Sequence, residues 1–422
     1  MHRLCRHLIA LGWIAVSPVF APPAPAAAPS AQLVRAAAPD WPQWRGPRRD
    51  GISDETGLLA AWPPEGPKLL WKAGGLGNGY SAPIVVAGTI YITGDEEADL
   101  VVHALSLDGS PRWRSKNGAS WRGSFPGSRS SCAFDDGKLY HMNAHGRVAC
   151  LDAQTGRELW AVPALEKFGG KNITWGLSES VIVHGDRVFV TPGGTKGLMV
   201  ALDKRSGETA WTSAPLAGEQ ARYSSPILLA DAGRQLLVNC GSQHVFALDA
   251  ADGRLVWHLA HADPRPAVTS TPVFSPAGIA VVNSSRESWA LFGVRAGDSP
   301  AKIWSKDLSI SHGGMVYVDG RFVGSSQRGE VRGWVAVDAS SGAAVQIADM
   351  ARGCLIYADK RFYCLTERGT MTLQELTAKG FRAAGSFELA KEKDVWTHPV
   401  ILGGRLYLRC HGELFCYDIR QP

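Results

Sequence analysis

The sequence predicts an all-β protein, an eight-bladed β-propeller of four-stranded antiparallel blades that is closed by a strand from its N-terminal side. Three observations support this fold class. A unit of short apolar segments recurs roughly every 40–50 residues, the spacing of four-stranded blades. Most units end on a regularly placed tryptophan, and the 422-residue chain contains 15 Trp and 47 Gly. The last unit lacks a fourth strand, whereas an unassigned strand precedes the first unit.

Each unit follows one consensus. It reads Ser/Thr-x-Pro-apolar, then Gly-x-x-Tyr-apolar, then Ala-Leu-Asp-x-x-x-Gly-x-x-x-Trp. The first two segments are rich in Val, Ile and Tyr, which is typical of short strands separated by a turn. Asp-x-x-x-Gly predicts a tight turn in which Gly takes the positive-φ position. The Trp then lies on a fourth strand, so that one unit makes one blade.

Eight units account for the chain from about residue 69 to 419 when the blades are counted in this way. They pass in order through Ser81, Ser130, Ser178, Ser224, Ser270, Gly320, Cys354 and Thr397. The sixth unit keeps Ala336-Val337-Asp338 but loses the Trp, and the seventh is degenerate. Leu69-Leu70-Trp71 supplies the strand missing from the eighth unit. Ring closure by this strand would remove free sheet edges that invite aggregation.

The repeated Trp is interpreted as a residue that packs between blades. A large aromatic side chain docks on the neighbouring blade, its indole N–H needs a partner, and the small residue of Ala-Leu-Asp leaves room. Cys150 and Cys416 occupy that small position, so we expect buried, unreactive side chains there. Cys354 and Cys364 flank a hairpin that a disulfide could bridge. Seven cysteines follow the leader, an odd number, which leaves at least one free or paired intermolecularly.

The N-terminus predicts a secreted or periplasmic protein. Residues 1–28 form a signal-peptide pattern, with a basic start, an apolar stretch too short to span a bilayer easily, and Ala-x-Ala sites. Cys5 precedes the apolar stretch, so no lipobox is present and no transmembrane segment is expected. Residues 29–68 are an Ala/Pro-rich linker and a Trp-rich arm, and 69–422 form the propeller. Removing Arg3 and Arg6 lowers the net charge from +5 to +3, too weak for nucleic-acid binding.

At these motifs the chain resembles the pyrroloquinoline-quinone (PQQ) repeat family of β-propellers. That family includes the quinoprotein alcohol dehydrogenases and the outer-membrane assembly propeller BamB. The resemblance covers the chain from about Leu69 onward. Asp40-Trp-Pro-Gln-Trp-Arg-Gly-Pro-Arg-Arg-Asp-Gly51 also looks like the N-terminal segment of secreted bacterial members. In that arm, Trp41 and Trp44 are expected to pack on the ring as a strap or to contact a partner.

The resemblance implies two different functions. The dehydrogenases carry two adjacent cysteines beside the quinone, Glu, Asn and Asp ligands for calcium, and an Asp base. This chain has no adjacent cysteine pair, and no Asn and Asp pair is matched to the calcium motif. We therefore expect no catalytic residue, no metal ligand and no cofactor, with PQQ and calcium as the alternative. The assembly-factor resemblance implies a scaffold that binds envelope or extracellular proteins.

Residues just before the first strands are the candidate binding residues, because every blade presents these positions at the same mouth of the channel. The candidate ligand-binding residues are Arg129, Glu179, Arg222, Tyr223, His312, Arg352 and His398, accompanied by Trp121, Trp175 and Trp396. Convergent aromatic and charged groups could bind a small anion, a carbohydrate or a peptide. The alternative is a water-filled polar channel whose groups satisfy one another. Three functional hypotheses follow: a protein-binding scaffold, a quinone-dependent dehydrogenase, and a small-molecule or carbohydrate binder.

Overall fold

The computed structural model describes residues 31–36, 40–260, 268–284, 289–295, 299–389 and 394–422. The predicted signal peptide lies outside these residues. The predicted fold class is confirmed: eight antiparallel sheets form an eight-bladed propeller, and the short helix Ala164–Phe168 follows blade 2. None of the helices in the described ranges is long and apolar enough to cross a membrane.

The strands of the eight blades follow the chain in order. Blade 1 contains Ile84–Val86, Thr89–Glu96, Asp99–Ser106 and Pro111–Ala119; blade 2 contains Ala133–Asp135, Lys138–Met142, Arg147–Asp152 and Glu158–Pro163. Blade 3 contains Ile182–His184, Arg187–Val190, Val200–Asp203 and Thr209–Thr212; blade 4 contains Ile227–Asp231, Arg234–Cys240, His244–Asp249 and Leu255–Ala260. Blade 5 contains Val268–Thr269, Val273–Ser275, Gly278–Ser284, Trp289–Arg295 and Ala301–Lys306; blade 6 contains Leu308–Val318, Arg321–Gly329, Gly333–Asp338 and Ala344–Ala348. Blade 7 contains Gly353–Ala358, Arg361–Thr366, Thr370–Thr377 and Gly380–Glu388; blade 8 contains Val400–Leu402, Arg405–Cys410, Glu413–Asp418 and Lys68–Ala73.

The first strand of each blade lies nearest the central channel. First strands of neighbouring blades contact one another, as between blades 2 and 3 and between blades 6 and 7. Fourth strands are largely exposed, as in Pro111–Ala119 and Lys68–Ala73. The core lies between adjacent blades, where Ile84 and Tyr91 of blade 1 share a buried cluster with Leu139 of blade 2.

Ring closure occurs as predicted. Strand Lys68–Ala73 pairs antiparallel with Glu413–Asp418 and places Trp71 opposite Cys416. Cys416 and Cys150 are buried, as predicted: both side chains are 0% exposed. Burial raises the pKa of each thiol to about 12. The suggested Cys354–Cys364 disulfide is wrong. Both thiols are free, and the strand register sets Cys364 opposite Leu355 rather than Cys354.

The repeated Trp docks on the next blade, as its spacing predicts. The Trp113 indole N–H of blade 1 donates to the Ala153 carbonyl of blade 2 at 3.1 Å, and its ring lies over Gly156 of the Asp-x-x-x-Gly turn. Trp71, Trp160, Trp211 and Trp304 repeat this contact with Leu107, Lys204, Ala250 and Ala339. Trp257 has no partner for its indole N–H in the described part of the chain. The fifth unit, which should receive it, carries a longer turn in place of Asp-x-x-x-Gly.

The recurring Ser/Thr before each first strand links neighbouring blades through hydrogen bonds. The Ser131 N–H donates to Ser180 Oγ at 3.0 Å, and the Ser180 N–H donates to Ser225 Oγ at 2.9 Å. The Ser225 N–H then donates to Thr271 Oγ1 at 3.2 Å. Each hydroxyl thus accepts a backbone N–H that would otherwise be buried without a partner. This explains why the consensus requires a hydroxyl residue, a role that the sequence pattern did not reveal.

The Trp-rich segment 40–59, hereafter the arm, runs inside the ring along the first strands. Trp41 pairs with Val85 of blade 1 through two backbone hydrogen bonds of 2.9 and 3.0 Å. Ser53 donates its N–H to Tyr357 of blade 7 and its hydroxyl to the Ile401 carbonyl of blade 8, at 2.9 and 3.1 Å. Trp41 is 2% exposed. The arm therefore packs on the ring, which was one of the two expectations, and it does so from within the channel. Because Trp41 is buried, it is not available to a partner.

Candidate functional site

First strands all run in the same sense, so the residues that precede them form one end of the channel, hereafter the upper mouth. The arm bonds to residues within the first strands and, in blade 3, to Ser180 and Val181 directly before the strand Ile182–His184, so most of it lies deeper in the channel than the mouth residues. Pro42 accepts from Phe134 of blade 2 at 2.8 Å, and Arg49 donates to Ser180 and Val181 of blade 3 at 2.7 and 3.1 Å. Arg45 donates to the Met315 carbonyl of blade 6. With the contacts to blades 1, 7 and 8, the arm is hydrogen-bonded to six of the eight blades.

A loop formed by residues 121–127 leans over the upper mouth between blades 1 and 2. Arg129 holds this loop by donating to the carbonyls of Ser124, Phe125 and Gly127. Its guanidinium lies 5.4 Å from the Trp121 ring centroid and 5.9 Å from that of Tyr80, a cation–π arrangement. Burial lowers the pKa of Arg129 to about 10, which leaves it charged at neutral pH.

Ring contacts connect the loop to the other side of the mouth. Phe125 is 43% exposed and lies 5.1 Å from the Trp396 ring, measured between centroids. Trp396 also contacts Tyr80 at 5.0 Å and stacks on His312 at 4.3 Å, with planes 19° apart. His312 is exposed to the lumen. The surrounding protein desolvates it, and together with Arg352 and Arg129 this lowers its pKa to about 4.

Tyr223 and Arg222 form a second group in the connection before blade 4. The Tyr223 ring packs on Trp175 with centroids 5.6 Å apart, and its hydroxyl accepts the Trp175 N–H at 3.3 Å. Arg222 donates to the Ala221 carbonyl at 3.1 Å, while its Nε has no partner among the described residues. Desolvation raises the pKa of Tyr223, and the positive charges of both Arg222 and Arg129 oppose that shift.

The remaining three candidate residues are already engaged or buried. Arg352 donates to Glu367 Oε2 at 2.6 Å and to Gln327. Glu179 is 2% exposed, accepts the Thr191 N–H at 3.1 Å, and has its pKa raised by burial to about 8. His398 is 7% exposed, and burial lowers its pKa to about 3. Both precede first strands, which is why the sequence predicts Glu179 and His398 as ligand-contacting residues. Because they are buried, they can position neighbouring residues but cannot contact a ligand in the channel.

The floor of the channel is built by the arm. Trp44 is half-buried and meets the His398 ring edge-on at 5.4 Å. The buried guanidiniums of Arg45 and Arg49 lie 5.5 and 5.9 Å from its ring centroid. Burial lowers their pKa values to about 10 and about 9. Neither arginine forms an ion pair with a carboxylate in the described ranges, so both bring positive charge to the floor.

Four further residues contribute to this region: Tyr80, Phe125 and Asp95, which sequence reasoning missed, and Trp44, which it expected on the ring but did not place in the channel. Asp95 accepts the Trp121 N–H at 2.8 Å through Oδ2, and burial raises its pKa to about 6. Tyr80 is in fact visible in the pattern, because it stands directly before Ser81-Ala82-Pro83 of the first unit. The other three come from a hairpin, a loop and the arm, whose placement depends on tertiary packing.

The residues present do not fit a calcium-bound quinone. All seven cysteines of the described ranges are free and buried, and none is adjacent to another in sequence. No group of three His, Cys, Asp or Glu side chains in those ranges is arranged to hold a metal ion. The carboxylates of this region are already engaged: Glu179 is buried, Glu367 is bonded to Arg352, and Asp95 accepts the Trp121 N–H.

A family model described as outer membrane protein assembly factor BamB matches residues 98–348, more than half of the chain. The chain belongs to this family. The suspected relationship is thus confirmed, and its relatives come from both branches of the fold.

Curated relatives include the outer membrane protein assembly factor BamB of Shewanella oneidensis, 24% identical over 212 residues, or 49% of each chain. The quinohemoprotein alcohol dehydrogenase ADH IIB of Pseudomonas putida is 27% identical over 154 residues, or 34% of this chain and 21% of the relative. The chain thus matches half or less of the length of these relatives.

Solved structures show the same fold. BamB from Moraxella catarrhalis superposes with a TM-score of 0.58 at 16% identity, covering 84% of this chain and 98% of that one. The quinohemoprotein alcohol dehydrogenase of Comamonas testosteroni gives 0.66 at 14% identity, covering 91% and 81%. At these identities the likeness concerns architecture alone, and function must be argued from the site.

Proposed function

We propose that the chain is a non-catalytic propeller scaffold of the cell envelope, exported to the periplasm or the outside, that binds protein partners through its upper mouth. Membership of the BamB family supports this proposal, since relatives named as assembly factors act within larger assemblies. The upper mouth is the favoured contact region because its connections vary between blades, and loops on a rigid scaffold are where binding residues concentrate.

The exposure of Phe125 carries the proposal. It is one of three exposed large apolar side chains of the described residues, with Leu69 and Val345. Leu69 and Val345 lie on fourth strands at the outer rim, whereas Phe125 projects from the 121–127 loop beside Trp121, Trp396 and Arg129. Aromatic and arginine side chains are enriched where protein interfaces derive most of their binding energy.

Site-specific photo-crosslinking tests this function. A benzoylphenylalanine residue replaces Phe125 in one variant and Val345, 55% exposed on the outer rim, in a matched control. Each purified variant is irradiated in an envelope extract of the source organism. We expect a discrete protein adduct at position 125 that excess unmodified chain suppresses, and no such adduct at 345. The same adducts at both positions, or none at 125, would contradict binding at the upper mouth.

A quinone-dependent dehydrogenase is the second candidate, favoured by the alcohol dehydrogenases among the relatives. The residues present do not fit a calcium-bound quinone, which argues against this activity. Titration of the purified chain with PQQ and Ca²⁺, followed by absorbance and Trp fluorescence, separates the two. Saturable micromolar binding would replace the scaffold proposal, whereas no binding would retire the dehydrogenase.

A further inference from the structure

Two histidine rings lie side by side on one face of blade 4. His244 begins the third strand, His244–Asp249, and His258 lies on the fourth strand, Leu255–Ala260. The strand register pairs His244 with Ala260 and His258 with Phe246. Residues paired across two strands share a face of the sheet, so the two histidines are diagonal neighbours on the same face. Their ring centroids are 5.0 Å apart, with the planes at 75°.

A buried carboxylate fixes the His244 ring. Glu219 lies in the connection before blade 4, its side chain is 1% exposed, and its two oxygens accept the backbone N–H groups of Gln220, Ser242, Gln243 and His244. The His244 Nδ1 lies 3.0 Å from Glu219 Oε2. Because that oxygen is an acceptor, Nδ1 is the nitrogen that donates, and Nε2 keeps its lone pair in the neutral ring. A carboxylate behind one ring nitrogen is the usual support of a histidine that binds a metal through the other.

The nitrogens that face away from Glu219 are available to a ligand. Within the described ranges, neither His244 Nε2 nor the His258 ring has a hydrogen-bond partner. His258 is exposed and the His244 side chain is 14% exposed, so solvent reaches the pair. An exposed side chain changes rotamer rapidly, which lets His258 turn a nitrogen towards His244 Nε2.

The spacing of the two rings suits one tetrahedral metal ion. Zinc binds histidine nitrogens at about 2.0–2.1 Å with tetrahedral angles, and two imidazoles held in this way have centroids about 5 Å apart once the radius of each ring is added. The observed 5.0 Å separation matches this value, so both rings can bind one ion without movement of the two strands.

We propose that His244 and His258 bind a divalent transition-metal ion such as Zn²⁺, with water completing its coordination. Imidazole is a preferred ligand of such ions, whereas Mg²⁺ and Ca²⁺ prefer oxygen ligands. Glu219 is a positioning residue, because it contacts His244 and not the ion. A site with two protein ligands agrees with the finding that no group of three His, Cys, Asp or Glu side chains in the described ranges is arranged to hold a metal. This inference adds a metal site to the proposed scaffold function and does not depend on it.

Isothermal titration of the purified chain, prepared without a histidine tag, with ZnCl₂ and with MgCl₂ tests the proposal. We expect saturable binding of one Zn²⁺ that His258→Ala removes, and no saturable binding of Mg²⁺. No saturable Zn²⁺ binding to the wild-type chain would overturn the proposal. Equal binding of Mg²⁺ would overturn the assignment of imidazole ligands.

Two further variants separate this site from other histidines. Glu219→Gln should weaken Zn²⁺ binding about tenfold or more, because the carboxylate orients the ring and raises its basicity. The matched control is His184→Ala, since His184 is a half-buried histidine at the end of the first strand of blade 3. Unchanged affinity in His258→Ala, or an equal loss in His184→Ala, would contradict the site. Should Glu219→Gln unfold, His258→Ala still decides, because its side chain is exposed. No partner protein is present, so failure here leaves the crosslinking result unaffected.

Discussion

Two glycines of blade 2 isolate the contribution of the interblade Trp contact to stability. Gly156 and Gly137 both have positive φ, at 74° and 70°. A Cβ at Gly156 would lie 2.5 Å from Cε3 of Trp113, whereas a Cβ at Gly137 would meet nothing within 4 Å. Alanine at Gly137 therefore introduces only backbone strain. Alanine at Gly156 introduces the same strain and forces the Trp113 ring off its seat.

The expected magnitudes differ accordingly. A left-handed conformation costs an L-residue about 1–2 kcal/mol, partly offset by the entropy that Ala removes from the unfolded chain, so Gly137→Ala should cost about 1 kcal/mol. Overpacking in Gly156→Ala adds about 1–3 kcal/mol. Displacing the ring also weakens the 3.1 Å hydrogen bond from the Trp113 indole to Ala153, which is worth about 1 kcal/mol.

A double-mutant cycle with Trp113→Ala tests the assignment, with unfolding by guanidinium followed by far-UV circular dichroism. Without the indole, Gly156→Ala should cost no more than Gly137→Ala, because the clash is gone. An equal penalty for the two glycine variants in the wild-type background would refute the reasoning. So would an undiminished penalty for Gly156→Ala in the Trp113→Ala background.

Three further predictions concern the interior. Burial raises the pKa of Glu179 from 4.5 to about 8. The folded protein is therefore stabilised by the protonated carboxyl at pH 5, and this stability is lost as the pH rises to 8. Because Gln stays neutral, Glu179→Gln should raise the melting temperature relative to wild type at pH 8 and much less at pH 5. The seven cysteines of the described chain are buried and free, so Ellman's reagent should react with none in the native protein and with all seven in guanidinium. Trp41→Ala, at a side chain 2% exposed, should cost about 3–5 kcal/mol of stability and make the arm the first site of limited proteolysis. Equal pH profiles, native thiol reactivity, or unchanged cleavage would contradict the respective assignments.

The fold was predictable because its information is local and repeated. Asp-x-x-x-Gly-x-x-x-Trp sets a turn and an outward Trp at fixed spacing, and this pattern recurs often enough to count blades. Closure followed from one surplus strand at Lys68–Ala73 and one missing strand after Glu413–Asp418. The pattern failed where a unit diverges from the consensus, as in the hairpin bearing Cys354 and Cys364. Strand register there, which the sequence did not reveal, separates the two thiols.

The site was predictable only in part. Position before a first strand predicts that Arg129 and Tyr223 lie at one mouth, because the blades share one topology; the structure places His312 within the first strand of blade 6, where it stacks on Trp396. The same rule could not say which side chains turn inward to be buried, and so it grouped Glu179 and His398 with them. The arm was the larger omission. Its path follows from hydrogen bonds to strands far along the chain, such as Arg45 to Met315, 270 residues away, and no local pattern encodes those.

Different residues determine the fold and the function: the consensus positions build the ring, and the connections between blades supply the chemistry. Relatives can therefore share the ring and differ in function. Trp docking and the Ser/Thr hydrogen bonds involve only consensus positions, so they fix blade number and ring geometry without specifying chemistry. Chemistry is left to the residues that break the consensus at the upper mouth. In this chain those residues are aromatic rings and arginines, and the seven cysteines of the described residues are buried. The arm lies in the channel against six of the eight blades, which favours access to these groups from the upper mouth. Deleting the arm, residues 40–59, should therefore open a second route to the Trp175–Tyr223 pair, detectable as faster quenching of Trp fluorescence by iodide.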